Sequence, residues 1–345
     1  MAADRHTLPL SASPGAVHRP PRAAAGPDQP ARRSVADRRG HVTETERRHP
    51  MAQEKIGFIG LGLMGRAMVE CLQKAGHPVT VLGNRDRTGL EEAVGRGGTE
   101  AASARTLAEE TDIVMLCVGT SEQVEARIFG DDGVLAGAKD GQVVIDFGTS
   151  LPASTLKIGA ALAEKGAIYL DAPLGRTPSH AKDGMLNIMC AGNEDAYASV
   201  KPVLEVLGEN VFHLGKLGNG HTIKLINNFF AMTTATAMSE AFAAADAAGI
   251  DRQALYGVMS AGPLHSGMMD FIRNYAVDGK VDLAFSVANG SKDVGYYRQM
   301  TEDLGLASRM SGAADATLSE AKAGGSGDLM IPQMVDWLSE NLKKD

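Results

Sequence analysis

Lys224 is the one charged residue in a run, 223–239, that is otherwise apolar, small or uncharged polar. The run follows the turn Gly218-Asn219-Gly220 and is long enough for a helix. A helix apolar around most of its circumference belongs in the body of a large protein. An ammonium there is costly unless it is paired or put to use. Positions three and four apart share a helix face, so Asn227 and Asn228 stand beside Lys224. One positive general acid flanked by amides suits proton transfer to a polar substrate. The same residues also fit a structural lysine snorkelling to water, with its amides capping a neighbouring loop. This stretch by itself leaves both readings open.

A second constellation lies upstream. Residues 55–59 read as a short apolar strand, followed at once by Gly60-Leu61-Gly62-Leu63-Met64-Gly65 and a helical pattern through Lys74; 78–82 is the next strand. A lone G-x-G-x-x-G is weak, but between a strand and a helix of a βαβ unit it marks a dinucleotide site. Gly60 would make the tight turn, Gly62 would let backbone amides approach a pyrophosphate, and Gly65 would allow close helix–strand packing. The helix N-terminus adds partial positive charge. An acid after the second strand would hold the ribose hydroxyl of NAD, whereas arginine accommodates the 2′-phosphate of NADP. The chain has Asn84 and Arg85 first and Asp86 next. These residues favour NADP over NAD, and Asp86 keeps NAD open.

The elements that must position these groups alternate. Strands are expected at 99–102, 112–118, 142–147 and 167–171, with helices at 103–110, 121–128 and 153–165. Apolar strands separated by helices predict an α/β, Rossmann-type, mostly parallel sheet with helices on both faces. Ligands of such sheets sit beyond the carboxyl ends of the strands. That rule selects the loops Gly119-Thr120-Ser121, Gly148-Thr149-Ser150 and Asp171 through Gly175, Arg176 and Thr177, with the nicotinamide expected near Val118, Gly119 and Thr149. Two further short strands, 186–191 and 211–214, are expected to extend the sheet. After Gly215 the pattern becomes helical and rich in Ala and Met, with helices at 239–248, 251–259, 268–275 and from Lys292 onward. The expected organisation is a dinucleotide-binding domain over 51–216 and an all-α substrate and oligomerisation domain over 217–345. Residues 1–50, rich in Pro, Arg and Ala, read as a disordered or start-site extension.

The totals narrow the function classes. A chain of 345 residues is ordinarily two domains. Its net charge of −8 offers no basic footprint for nucleic acid or membrane, and no apolar run is long enough to span a bilayer. Three scattered cysteines suggest reduced thiols in a cytoplasmic protein. Neither cysteines nor histidines show ligand spacing, so no metal is expected.

Four stretches together resemble one family, the β-hydroxyacid dehydrogenases, over residues 54–340. Gly60-Leu61-Gly62-Leu63-Met64-Gly65 resembles its cofactor loop, and Asp171-Ala172-Pro173-Leu174-Gly175-Arg176-Thr177 stands in the place of its substrate loop. Gly220 through Lys224 to Asn228 is similar to its catalytic signature. Ser291-Lys292-Asp293, with Phe285 upstream, looks like its late cofactor element. The resemblance implies a Rossmann-type domain joined by a long helix to an all-helical domain, an active site between them, and a homodimer or homotetramer. It also assigns Thr149 and Lys292 to the cofactor. The usual substrate loop reads Ser-Gly-Gly where this chain has Gly175-Arg176-Thr177. Arginine offers a rigid fork of donors for a carboxylate, phosphate or sulfonate, and this loop resembles the sulfolactaldehyde reductase branch. Arg176 could instead pair with a local acid such as Asp183.

The expected activity is NAD(P)-dependent interconversion of a small anionic hydroxy acid, or hydroxy sulfonate, and its semialdehyde. Lys224 would act as general acid and base, Asn228 would orient a substrate oxygen, and Arg176 and Thr177 would hold the anionic tail. Two alternatives are an imine reductase, which generally lacks the lysine, and a non-catalytic dinucleotide-binding protein on the same fold.

Overall fold

Six short strands form one parallel sheet: β1 (Ile56–Ile59), β2 (Val79–Leu82), β3 (Thr99–Ala101), β4 (Ile113–Leu116), β5 (Val143–Asp146) and β6 (Ile168–Asp171). Their order is β3-β2-β1-β4-β5-β6. The structure is a computed structural model and describes residues 53–342; the expectations for residues 1–50 lie outside them. β1, β4 and β5 are buried at every position. Helices therefore cover both faces, which is why these strands read as unbroken apolar runs. The chain winds outward from β1 through β2 to β3, then returns to place β4 against the other side of β1. The carboxyl ends of β1 and β4 thus flank the switch point where such sheets bind ligands.

Three more strands follow, β7 (Leu174–Gly175), β8 (Leu186–Cys190) and β9 (Gly208–His213); the two that the sequence suggested, β8 and β9, do not extend this sheet. All three form a separate sheet, β7-β8-β9, antiparallel between β7 and β8 and parallel between β8 and β9. It joins β6 through a single antiparallel bridge between Asp171 and Ala191. Pro173, just past that bridge, has no N–H to continue a ladder. The intervening Glu194–Leu207 helix escaped the sequence pattern, although Asn193 accepts the Ala196 N–H at its start and two acids fill its first turn.

Beyond His213 the structure is helical. The run at 223–239 and the helix expected at 239–248 form one continuous helix, Asn219–Ala247, of 29 residues. It forms the spine of the second core, where Met232, Met238 and Phe242 pack with Ile272, Val294 and Leu318. The Val287–Asp303, Met310–Ala321 and Met334–Asn341 helices wrap around it. Its first half is less buried than its sequence suggested, because one side faces away from both domains. Ile226 is 49% and Phe230 72% exposed. Among the described residues no helix is long and apolar enough to cross a membrane.

The spine approaches the small sheet very closely at Gly220. A Cβ there would lie 2.3 Å from the Met189 carbonyl oxygen and 2.8 Å from Asp171 Oδ2. Exchanging glycine for alanine inside a helix ordinarily gains about 1 kcal/mol. Gly220→Ala is expected to reverse that sign and destabilise by about 1–3 kcal/mol through overpacking. Urea denaturation measures the difference; a raised midpoint would contradict the close approach.

Candidate active site

Lys224 is placed by the start of its helix. Gly218 turns the chain at φ 91°, a left-handed conformation natural to glycine. Asp171, at the end of β6, then receives the helix. Its Oδ1 accepts from the Gly218 N–H at 2.8 Å and its Oδ2 from the His221 N–H at 2.7 Å. A carboxylate from another element thus caps a helix that has no cap of its own. Burial pushes the Asp171 carboxyl up from the ordinary aspartate value, against the His221 ring and these two N–H donors. The His221 ring is fully buried, with Nδ1 2.7 Å from Thr155 Oγ1. One turn past Lys224, the buried Asn228 donates to Asp293 Oδ2 at 2.6 Å, and Asn227 donates to Asn228 Oδ1 at 3.2 Å. The helix is pinned on both sides of the lysine.

Lys224 itself is half-buried and makes no hydrogen bond or ion pair among the described residues. Burial pushes its ammonium below the ordinary lysine value; Asp293 opposes that shift and the positive charge of Lys292 adds to it. Asp293 is already engaged, because Lys292 Nζ stands 2.9 Å from its Oδ1. Lys292 also donates to the Gly119 carbonyl at 2.9 Å and the Thr149 carbonyl at 3.2 Å. The helical domain thus meets the loops after β4 and β5 beside Lys224. An ammonium held by packing, with its charge left unspent, can give or take a proton.

The glycine loop fits a dinucleotide. A Cβ at Gly60 would lie 2.3 Å from the Cys117 carbonyl oxygen, and one at Gly65 1.9 Å from the Gly60 carbonyl oxygen. At Gly62 a Cβ would meet nothing within 4 Å, so the loop is open on the side a pyrophosphate would approach. The following helix, Leu63–Lys74, has no side-chain cap and no acid in its first turn, leaving its N–H groups to an anion. Leu61 and Met64 pack partly against the core, whereas Leu63 is exposed. Asn84 and Arg85 are exposed and bond to no described residue. Asp86 is exposed as well and accepts the Thr88 N–H at 2.9 Å, at the start of the Thr88–Gly95 helix. A crevice of about 350 Å³ between the ends of β2 and β3 is lined by Gly83, Ser103 and Arg127.

The remaining predicted residues are less convergent. Val118 is partly buried beside Gly60. Phe285 packs at the edge of the helical core. Arg176 does not pair with Asp183; its Nη1 sits 2.5 Å from Glu209 Oε2 on β9 and donates to the Met185 carbonyl at 2.7 Å. Its φ of 77° makes it the one non-glycine residue with positive φ among the described residues, a conformation that costs an arginine about 1 kcal/mol or more. It stands where the usual loop has glycine. Gly175 pairs with Asn187 across β7 and β8, and Thr177 Oγ1 lies 2.7 Å from Ser179 Oγ and 2.8 Å from His180 Nδ1. The sequence reading carried Asp171, His221 and Asp293 inside matched motifs without giving any of them an individual role. The signal for Asp171 is an acid at the end of an apolar strand; that for Asp293 is a buried charge beside another. Among the described residues no three or more His, Cys, Asp or Glu side chains are grouped to hold a metal ion.

Comparison with known proteins agrees with this layout. Residues 55–215 match the family described as the NAD-binding domain of 6-phosphogluconate dehydrogenase. Residues 218–338 match that described as NAD-binding of NADP-dependent 3-hydroxyisobutyrate dehydrogenase. The chain is 33% identical over 258 residues to 2-hydroxy-3-oxopropionate reductase of Escherichia coli strain K12, covering 73% of this chain and 86% of that one. The chain belongs to the 3-hydroxyisobutyrate dehydrogenase-like β-hydroxyacid dehydrogenase family. Among solved structures, 3-hydroxyisobutyrate dehydrogenase of Mycobacterium tuberculosis with L-serine has a TM-score of 0.75 at 26% identity, covering 83% of this chain and 99% of that one. Psf3, solved with NADP+ and 2-OPP, has a TM-score of 0.73 at 26% identity, covering 82% and 99%. Imine reductases share the fold more distantly, at 18–21% identity. As a family member, this β-hydroxyacid dehydrogenase carries NAD(P)-binding domains and is an oxidoreductase acting on hydroxyl groups.

The state of Lys224 has a consequence for stability. Its folded-state pKa lies below the unfolded value, so the fold disfavours the charged form. That penalty is present wherever pH lies below the unfolded lysine value, neutral pH included, and disappears as pH rises to that value. Lys224→Met, of similar volume, is therefore expected to raise the melting temperature at neutral pH while abolishing activity. A lower melting temperature at that pH would mean that the ammonium is a structural partner.

Proposed function

We propose that this chain interconverts a small anionic hydroxy acid, or hydroxy sulfonate, and its semialdehyde, with Lys224 as the general acid and base and NADP as the preferred cofactor. The observation that carries the proposal is the half-buried Lys224, without a partner of its own and placed beside the neutralised Asp293. The bound cofactor supplies or accepts the hydride. The chain supplies everything else. Lys224 donates a proton to the carbonyl oxygen in the reductive direction, and its charge stabilises the developing alkoxide. In the oxidative direction the neutral amine accepts that proton. Asn228 gives one amide hydrogen to Asp293, and its second is free to orient a substrate oxygen.

Lys292 holds the Gly119 and Thr149 carbonyls in place along the nicotinamide end. Exposed Asn84 and Arg85 suit a 2′-phosphate, and the exposed Asp86 already accepts the Thr88 N–H through Oδ1. Arg176 uses only Nη1 in its contacts with Glu209 and Met185, leaving Nε and Nη2 for a carboxylate or sulfonate, with Thr177 alongside. The named activities of relatives, on 2-hydroxy-3-oxopropionate and L-serine among them, support a small carboxylate-bearing substrate.

The test is steady-state kinetics with a panel of hydroxy acids and semialdehydes. Lys224→Ala is expected to lower kcat about 10²–10⁴-fold while NADPH still binds. Near wild-type turnover would rule out the proton-transfer role, and activity on imines alone would favour the imine reductase reading. In the same panel Arg176→Gly is expected to raise KM for anionic substrates far more than for a neutral aldehyde. Equal effects would remove the anion anchor.

A further inference from the structure

Tyr296 lies on the Val287–Asp303 helix of the helical domain, one turn beyond Lys292. Its hydroxyl accepts the Ser121 N–H at 3.1 Å and donates to Glu122 Oε2 at 3.0 Å. Both partners open the Ser121–Phe129 helix, which follows the loop after β4. The hydroxyl therefore satisfies an N–H that no residue of that helix can reach. Ser121 is itself a crosslink, because its Oγ accepts the Leu151 N–H at 2.8 Å from the loop after β5. On the same helix face the Lys292 ammonium stands 5.1 Å from the centre of the Tyr296 ring and donates to the Gly119 and Thr149 carbonyls. Two side chains one turn apart thus hold the loops after β4 and β5. Tyr296 takes the Ser121 N–H that ends the first, and Lys292 takes a carbonyl from each.

We propose that Tyr296 is a positioning residue for the nicotinamide end of the cofactor, locking the Gly119–Glu122 edge to the helical domain. The proposal rests on the cofactor reading above and adds a residue outside the cofactor loop and the Lys292-Asp293 element. Its action is indirect. The ring supports the Lys292 ammonium by cation–π attraction, and the hydroxyl fixes the start of the helix from which Gly119 and Val118 are suspended. Asn84 and Arg85, which would hold the adenosine end, follow β2 on the other side of β1 from β4 and bond to neither Tyr296 nor Lys292. The two ends should therefore respond differently to its loss.

The full chain with Tyr296→Phe keeps the ring and loses the hydroxyl; Glu122→Leu removes the carboxylate it grips. Isothermal titration with NADPH and, separately, with adenosine 2′,5′-bisphosphate reads the two ends, and amide exchange reads Ser121. In Tyr296→Phe the Kd for NADPH is expected to rise roughly tenfold, with the bisphosphate Kd unchanged and Ser121 exchanging faster. Glu122→Leu should shift NADPH binding in the same direction by less. An unchanged NADPH Kd in both variants would overturn the proposal. So would equal weakening of the bisphosphate, which marks a merely structural role. A wild-type chain that binds neither NADPH nor NADH would overturn the cofactor reading itself, and the proposal with it.

Discussion

The site hangs from the carboxylate of Asp171. It ends the last strand of the parallel sheet and, through the Gly218 and His221 N–H groups, holds the first turn of the long helix. Both donors are buried, and leaving them unmet would cost about 1–3 kcal/mol each. A helix held at its third residue has its rotation fixed, so the next turn must present Lys224 in one direction. Gly220 makes the contact possible, since only a residue without Cβ fits between Met189 and Asp171. The other end of the constraint is the Asn228–Asp293 bond. Between these two anchors the lysine is aimed without being bonded.

That arrangement explains a feature that would otherwise be a liability. Asp293 is nearly inaccessible and would be the natural partner for Lys224, yet Asn228 hydrogen-bonds its Oδ2 and the Lys292 ammonium stands in ion-pair contact with its Oδ1, which accepts no hydrogen bond among the described residues. Lys292 is satisfied in turn by two carbonyls of the loops after β4 and β5. The carboxylate is paired locally, and Lys224 makes no salt bridge of its own among the described residues. A second lysine nearby adds to the effect of burial in lowering its pKa.

Much of this was legible in the residues. The six parallel strands were visible because doubly covered strands are unbroken apolar runs, and the glycine loop because its position after β1 gives each glycine a distinct task. Lys224 stood out as the one charge in its run. The small sheet was misplaced because nothing local distinguishes a strand that joins one sheet from a strand that starts another; Pro173 and the Asp171–Ala191 bridge decide it. Asp171 and Asp293 went unassigned because their partners lie 47 and 65 residues away, beyond any periodicity. Arg176 was recognised as unusual, but its contact with Glu209 depends on β9 lying beside β8. The run around Lys224, apolar over most of a helix circumference, suggested a buried helix, whereas Ile226 and Phe230 lie on an open side.

The central claim is that Lys224 exchanges the substrate proton with a lowered pKa. It is tested most directly by the pH dependence of kcat/KM in the oxidative direction. The neutral amine is the active form there, so the rate should rise with pH to a plateau. The midpoint should fall below the ordinary lysine value of about 10.4, and Lys224→Arg should lose that limb within the accessible range. A limb that survives unchanged in Lys224→Arg would assign the proton to another group and contradict the account.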